Sequence, residues 1–477
     1  MDNKLITSRF KSIIPEDVKK IMQIISGYGF YCFIVGGAIR NFLINEPIKD
    51  WDICTDATLE DLNTMFHDFN TKIVNKELGV MIVSLNNINY EITMLRKEKI
   101  RLKDSQKKND HYRTKHTEIE LLSNITHIDE LLYDSERRDF TCNSIYYDNQ
   151  YGILYFNNNL NDVLNKEIFF NGNPKDRIIE DPLRILRAIR FAAVYDFKIN
   201  ANCWNIFYSN KYLIDSIAKE RIRDEFNKIL NGRYFYKVAE NILSFSIFDK
   251  MFGYNISDSF NFYQQHKYHK KTVFEHTINS LKLLSHINDL NLKLSLFFHD
   301  IGKKECAEID ENGCEHYYGH QDISANIALN IMNNLKYSKA DQSIVNKLIN
   351  KHSLDVAKLS NKKCKQLINS LGINQINKLI LFMFCDRLSH QKDNLIDDIF
   401  EITQFRERMN NIINRKEPIS ILDLNINGYD LMKLSINGKD IGTTMEFLLG
   451  QVLERPSLNN KDELIKLSIE FNKKNKQ

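Results

Sequence analysis

From about residue 175 onward the chain reads in one rhythm. "DPLRILRAIRFAAVY", "KERIRDEFNKILN", "VFEHTINSLKLLSHI" and "LKLSLFFHDIGKK" each place apolar residues at i, i+3 and i+4, the spacing of a helix with one buried face. Six prolines and seventeen glycines in 477 residues leave few breakers, so long helices are expected. The first 150 or so residues behave differently. "PEDVKKIMQIISGYGF" is helical and ends at glycines, but "YCFIVGG", "WDICTD", "GVMIVSL" and "NYEITMLR" alternate or run apolar as strands do. The expected fold class is α+β, a small mixed sheet with helices followed by an all-helical remainder. Two to four domains suit the length, with weak boundaries near 155–175, 255–270 and 395–420.

Composition narrows the class further. With 43% hydrophobic and 11% aromatic residues there is ample material for cores and no sign of disorder. A net charge of +3 neither requires nor excludes a nucleic-acid partner, so any basic surface must be local. One such run, residues 96–115, has nine Lys or Arg against three acids, and reads equally as a solvated loop or an RNA-facing one. Eight scattered cysteines without a C-x-x-C pair give neither a zinc framework nor a disulfide one. The first residues hold no apolar stretch of signal-peptide length, and no segment reaches membrane-spanning length. A cytoplasmic protein with no membrane partner is expected.

The chemistry concentrates in three charged knots. The first is "IVGGAIRNFLINEPIKDWDICTDAT", residues 34–58. If Asp50 and Asp52 lie on one strand they share a face, with Trp51 on the other. Two carboxylates so close repel unless a cation sits between them, and oxygen ligands with waters and phosphates suit Mg²⁺. The Gly36-Gly37 turn would let backbone N–H groups approach phosphate oxygens, with Arg40 adding a charged donor. Glu91 in "NYEITMLR" is a third strand carboxylate that would complete the cluster.

The second knot is "SERRDFTCNS", residues 135–144, where Arg138 and Asp139 form either a surface ion pair or a nucleotide-binding edge. The third is "EDPLRILRAIRF", residues 180–191. Pro182 marks a helix start, so Asp181 and Arg184 are i, i+3 neighbours, and Arg187 and Arg190 extend the stripe. A carboxylate accepts from an exocyclic amino group while a guanidinium donates to ring acceptors. An Asp/Arg edge could therefore accept cytosine and adenine and reject guanine and uracil, at roughly 1–3 kcal/mol per bidentate contact.

Together, "VGGAIRN…KDWDICTDA", "RRDFTCNS", "EDPLRILRAIRFA" and "KERIRDEFNKIL" resemble the class II tRNA nucleotidyltransferases, the bacterial CCA-adding enzymes and their poly(A) polymerase relatives. The resemblance implies a polymerase-β-like head over 1–155, a neck with the nucleotide-selecting helix over 156–255, an HD domain over 256–400 and a tRNA-binding tail over 401–477. It implies that Asp50 and Asp52 bind Mg²⁺ and that Gly37, Arg40 and Arg138 hold the incoming nucleotide, with Asp139 near its ribose. Asp181 and Arg184 would pair with the base, Arg187 and Arg190 would meet phosphates, and Glu220 to Glu225 would brace the neck. Asn41 departs from the family's usual aspartate, and the region between Arg96 and Arg137 follows the pattern loosely, although Arg113 matches a flexible-loop arginine.

The middle of the chain looks like an HD domain: His276, His299-Asp300 and Asp386 follow its order, with His320 and His352 as a second shell or second metal site. Such a mixed N/O set suits a transition metal that activates water. The expected activity is template-independent addition and repair of the 3′-terminal CCA of tRNA from CTP and ATP. The alternatives are A-only, CC-only or poly(A) addition, an HD phosphohydrolase acting on RNA ends, or a non-catalytic RNA-binding protein. No feature fixes an oligomeric state.

Overall fold

The computed structural model describes residues 3–475 apart from residue 78 and residues 96–127, 265–270, 312–313 and 391–394. The basic run at 96–115 and Arg113 lie outside the described residues. The chain divides into two compact units, Met1–Met251 and Phe252–Gln477.

The first unit holds a seven-stranded sheet in the order β3-β4-β5-β2-β1-β6-β7. The strands are β1 (Cys32–Val35), β2 (Asp52–Thr55), β3 (Asn70–Asn75), β4 (Val80–Leu85), β5 (Ile88–Met94), β6 (Ile145–Asp148) and β7 (Gly152–Tyr155). Helix α1 (Glu16–Gly27) precedes the sheet and α2 (Gly37–Leu43) follows β1 directly. Phe33, Val35, Cys54, Leu95, Leu131, Tyr146 and Leu154 close one core cluster, which is where the apolar strand residues were expected to go. β3 was not expected: "NTKIVN" is mostly exposed, so it carries no buried alternation to read.

Two registers position the site. β1 pairs antiparallel with β2 through Val35↔Asp52, and β2 pairs parallel with β5 through Ile53↔Ile92. The end of β1, the start of β2 and Glu91 of β5 therefore meet at one end of the sheet. The strand begins at Asp52, not before it, which corrects the expectation that Asp50 and Asp52 share a strand face. β1 turns away at Gly36, so residues 50 and 51 have no ladder partner there, and Trp51 packs near the Phe10 ring instead (5.8 Å).

Helix α3 (Ile128–Arg137) leads into β6, and α4 (Pro174–Glu180) and α5 (Leu183–Tyr195) bracket Pro182. Pro182 stands just ahead of α5, where its missing N–H costs nothing. Leu183, Leu186 and Ile189 are buried as the apolar spacing requires. α5 ends at Asp196 in a left-handed conformation (φ 63) and packs on α6 (Lys219–Asn231). Only glycine fits at 232 after α6, because a Cβ there would stand 2.4 Å from the Ala193 carbonyl oxygen.

Among its described residues, the regular elements of the second unit are helices and the short hairpin Glu308–Ile309 and Glu315–His316. Its site-bearing helices are α7 (Val273–Leu283), α8 (Leu290–Phe298), α9 (His320–Asn334), α10 (Lys339–Lys351) and α11 (Ile373–Ser389). A capping box, Thr272 with Glu275, starts α7. Toward the end of the chain, Leu424, Ile426, Leu431, Met445, Leu448, Val452 and Leu464 form a separate apolar cluster around α12 (Lys439–Glu454). Buried Lys365 donates to the Leu453 carbonyl (2.9 Å) and pairs with Glu417 (2.8 Å), a cation whose desolvation is offset by both partners. Among the described residues no single helix is long and apolar enough to cross a membrane.

Candidate functional site

Gly36 ends β1 at φ 73, a conformation costly for any residue with a Cβ. A Cβ at that point would stand 3.6 Å from the Asn143 carbonyl, 3.7 Å from Arg138 Nη1 and 4.0 Å from Asp52 Oδ2. Burial raises the Asp52 carboxyl above the usual range. Glu91 raises it further, Arg138 opposes the rise, and Asp50 and Arg40 add smaller pushes of opposite sign. Glu91 itself is exposed. A carboxylate raised by burial and by its acidic neighbours beside a glycine turn fits a hard divalent cation, since the cation would relieve both the repulsion and the burial cost.

Arg138 is fixed from behind. Its Nε donates to Asp134 Oδ2 (2.8 Å), and the Tyr146 hydroxyl donates to the same oxygen (2.8 Å). Arg137 also pairs with Asp134. Burial alone would raise the Asp134 carboxyl, but Arg138 and Arg137 outweigh it and hold it below the ordinary range. Sequence reasoning did not single out Asp134. Its only signal is its place one turn before Arg138 on an otherwise amphipathic helix.

Arg40 corrects an expectation. It is 7% exposed, and its donors are engaged by the protein: Nη1 with Asn143 Oδ1 (2.5 Å), Nε and Nη2 with Asn41 Oδ1 (3.1 and 2.8 Å), and Nη2 with the Tyr195 hydroxyl (3.3 Å). The Phe191 and Tyr195 rings lie 4.8 and 4.7 Å from its guanidinium carbon. It is a strut between α2 and α5, not an open phosphate donor. Asp139 is likewise engaged. Oδ1 accepts from the Phe140 N–H (2.8 Å) and Asn143 Nδ2 (3.0 Å), and Oδ2 faces Arg187 Nη2 (2.7 Å), which takes up the edge expected for ribose.

The third knot is only partly assembled as expected. The Asp181 and Arg184 side chains do not pair. Arg184 Nη1 donates to Glu180 Oε2 (2.9 Å) and to the Arg177 carbonyl (2.6 Å), whereas Asp181 accepts from the Leu183 N–H (3.2 Å) and lies 3.7 Å from Arg221. The cause is the short helix α4: it ends at Glu180, whose carboxylate is closer to Arg184 than the capping Asp181 is. Arg190, expected at phosphates, pairs with buried Glu225 (3.1 Å) and so joins α5 to α6, the bracing expected of the Glu220–Glu225 stretch. Arg187, with 35% of its side chain exposed, is the more open of the two. Arg177 Nη2 donates to the Arg137 and Arg138 carbonyls (2.7 and 3.0 Å), which ties the α4–α5 corner to the segment carrying Arg138.

The second unit gathers all six of its expected site residues. His276 Nε2 lies 2.9 Å from Asp386 Oδ1, 3.3 Å from His299 Nε2 and 3.5 Å from Asp300 Oδ2. On the other oxygen of Asp300, His320 Nε2 and His352 Nε2 lie at 3.5 and 3.9 Å and are 3.2 Å from each other. Asp300 thus stands between two histidine groups, each able to hold a metal ion. Burial pushes His276 down to about 4 and His352 down to about 3, which keeps both rings in the neutral, ligating form. Burial also opposes charge on His299, but the Asp300 and Asp386 carboxylates lift it to about 10, the pull that two buried acids exert on positive charge between them. Backbone carbonyls orient the rings: Leu296 holds His299 Nδ1 (2.7 Å) and Ile349 holds His352 Nδ1 (2.6 Å), as fixed metal ligands require. Two members were missed in the sequence. His390 lies 3.6 Å from Asp386, and Lys303 lies 2.7 Å from Asp300; each sits three or four residues beyond an expected ligand on the same side of the chain.

Comparison with known proteins adds to this geometry. Residues 32–168 match the family model "Poly A polymerase head domain", and residues 196–254 match "Probable RNA and SrmB- binding site of polymerase A". The chain is 32% identical over 236 residues to a CCA-adding enzyme of Staphylococcus epidermidis, covering 49% of this chain and 55% of that protein. It is 27% identical over 320 residues to that of Staphylococcus saprophyticus, covering 62% of this chain and 76% of that one. The chain thus spans about half the length of the first of these curated relatives. The fold is shared almost end to end with the Bacillus stearothermophilus CCA-adding enzyme solved with CTP: TM-score 0.67, 18% identity, 97% and 98% of the two chains covered. It is shared also with the Thermotoga maritima CCA-adding enzyme solved with tRNA: TM-score 0.59, 15% identity, 98% of each chain covered. The sheet with its carboxylates at one end, the arginine segment behind them and the helical remainder give this chain the fold of the CCA-adding enzymes, with residues 32–168 and 196–254 similar to the two poly(A) polymerase families.

Proposed function

We propose that this protein adds and repairs the 3′-terminal CCA of tRNA, using CTP and ATP and releasing pyrophosphate without a nucleic-acid template. The observation that carries the reading is Asp52, a half-buried carboxylate pushed up by desolvation and Glu91, beside a glycine turn and an arginine. Asp50 and Asp52, with Glu91, would hold Mg²⁺. When bound, the ion favours deprotonation of an attacking hydroxyl and neutralises charge on a departing pyrophosphate.

The chain's own groups set up the rest. The Gly36 N–H is bonded to the Ile145 carbonyl (3.2 Å), so the turn would offer the Gly37 N–H to the triphosphate, and Arg138, clamped by Asp134, adds a fixed positive charge beside it. The 3′-oxygen of the tRNA attacks the α-phosphorus, and the bond to the β-phosphate oxygen breaks. Asp181, Arg184 and Arg187 at the α4–α5 corner form the base-reading edge, where reading a base requires Arg184 to exchange Glu180 for the ligand. In this reading the first unit comprises head and neck, and the second the metal-binding body and the tail. Transcripts ending in –N, –NC and –NCC, incubated with labelled CTP or ATP, test it. Full extension of all three is expected; failure to add C to the first rules out complete CCA synthesis in favour of A-only or poly(A) addition.

A second activity is favoured by one observation: Asp300 lies between two histidine groups. His276, His299, Asp300 and Asp386 would hold one transition-metal ion, and His320 and His352 with Asp300 a second. This is an HD-type centre suited to hydrolysing phosphate esters at RNA ends. Metal analysis of the purified protein, with and without chelation, tests it. A protein that retains no transition metal under any loading removes this reading.

A further inference from the structure

We propose that Asn143 is a positioning residue that joins the glycine turn to the helix carrying the base-side arginines, so that nucleotide choice and phosphate-side geometry are set as one unit. The inference rests on the nucleotidyltransferase reading above. Three successive contacts carry it. Arg40 Nη1 donates to Asn143 Oδ1 (2.5 Å), Asn143 Nδ2 donates to Asp139 Oδ1 (3.0 Å), and Asp139 Oδ2 meets Arg187 Nη2 (2.7 Å). The Asn143 carbonyl also lies 3.6 Å from where a Cβ on Gly36 would stand, directly against the turn.

The chain of contacts closes on itself through α5. Arg40 is held on that helix by the Phe191 and Tyr195 rings and by the Tyr195 hydroxyl. Arg187 sits two turns earlier on the same helix, about 12 Å along its axis. Helix α5 is therefore gripped at two points, at Arg187 by Asp139 and at Tyr195 by Arg40, and Asn143 bonds both gripping groups. The chemistry demands an amide. One end must accept from a guanidinium and the other must donate to a carboxylate, and only one orientation of the Asn143 side chain satisfies both. Arg40 is engaged by neutral oxygens (Asn41, Asn143 and Tyr195), so these contacts leave its positive charge standing beside Asp52, whose carboxyl it helps to hold down.

The test is N143D against N143A. Aspartate keeps the volume and the acceptor for Arg40 but sets a second carboxylate against Asp139, which should release Arg187. N143D is expected to raise KM for both CTP and ATP at least about tenfold, with kcat within about threefold, and to weaken rejection of GTP and UTP by about tenfold, the effect of one lost charge-assisted contact. N143A loses both bonds and moves in the same direction by no more than N143D. A residue that merely fills space predicts the opposite order, with aspartate rescuing what alanine damages, and that order overturns the inference. Calorimetric CTP binding gives a readout that needs no turnover and is unaffected by a change in active fraction. Binding of N143D at least about tenfold weaker than wild type is expected, and equal affinity overturns the inference. A wild-type protein that neither binds CTP nor extends tRNA would instead overturn the nucleotidyltransferase reading itself.

Discussion

In the first unit, Asp52 and Glu91 meet across neighbouring strands with Glu91 exposed, and the donors are all oxygen. In the second, His276, His299, Asp300, His352 and Asp386 are buried, and nitrogen and oxygen donors alternate around Asp300. The electrostatics run in opposite directions. Asp52 is raised because no cation outweighs its burial and its acidic neighbours, whereas Asp300 is held well below the usual range because His299 and Lys303 overcome its burial. The first set is half-open and all oxygen, whereas the second is buried and mixes nitrogen with oxygen. An exchangeable hard ion suits the one and a resident borderline metal the other.

The largest expected effect separates the two sites by chemistry. D52N is expected to lower nucleotide addition by about a thousandfold or more, measured as labelled CTP incorporation, with the metal content of the second unit unchanged. Next, D134N leaves Arg137 and Arg138 without their buried counter-charge and should cost about 3–5 kcal/mol in urea unfolding of the first unit. The sign of its pH dependence follows from the lowered Asp134 carboxyl. Its stabilisation is fully present above the unfolded value of about 4 and is lost as pH falls through the lower folded value, so wild type and D134N should converge in strong acid.

Replacing His299 and Asp300 together by alanine should weaken transition-metal binding by about a hundredfold, by equilibrium dialysis, while tRNA extension stays within about threefold. G232A forces α5 and α6 apart at the Ala193 carbonyl and is expected to cost about 1–3 kcal/mol. T272A, which removes the capping box in front of His276, should cost about 1 kcal/mol in the second unit alone.

The same contrast explains what the sequence could and could not say. Strands β1, β2, β4 and β5 and the helix start at Pro182 follow from periodicity and local breakers, whereas the grouping of six His and Asp residues was implied by the resemblance to an HD domain. Each partnership that the sequence missed is a choice between two nearby groups of similar chemistry. Arg184 takes Glu180 over Asp181 because a short helix ends between them. Arg190 takes Glu225, and Arg40 turns to Tyr195 and Asn143, because α5 packs where it does. No spacing rule within one segment encodes which distant helix will arrive. Asp50 left the strand for a related reason: its ladder partner was lost when β1 bent at Gly36. Residue types at a site can be read from the chain, whereas their partners depend on tertiary packing.

The measurement that bears most directly on the account places wild type, D52N and the His299/Asp300 double variant side by side on a tRNA transcript lacking its last three nucleotides. With labelled CTP, ATP and Mg²⁺, wild type and the double variant should both restore full length, and D52N should add nothing above background. Extension by D52N, or loss of extension in a double variant that melts like wild type, would contradict the assignment of the chemistry to the carboxylates at the end of the sheet.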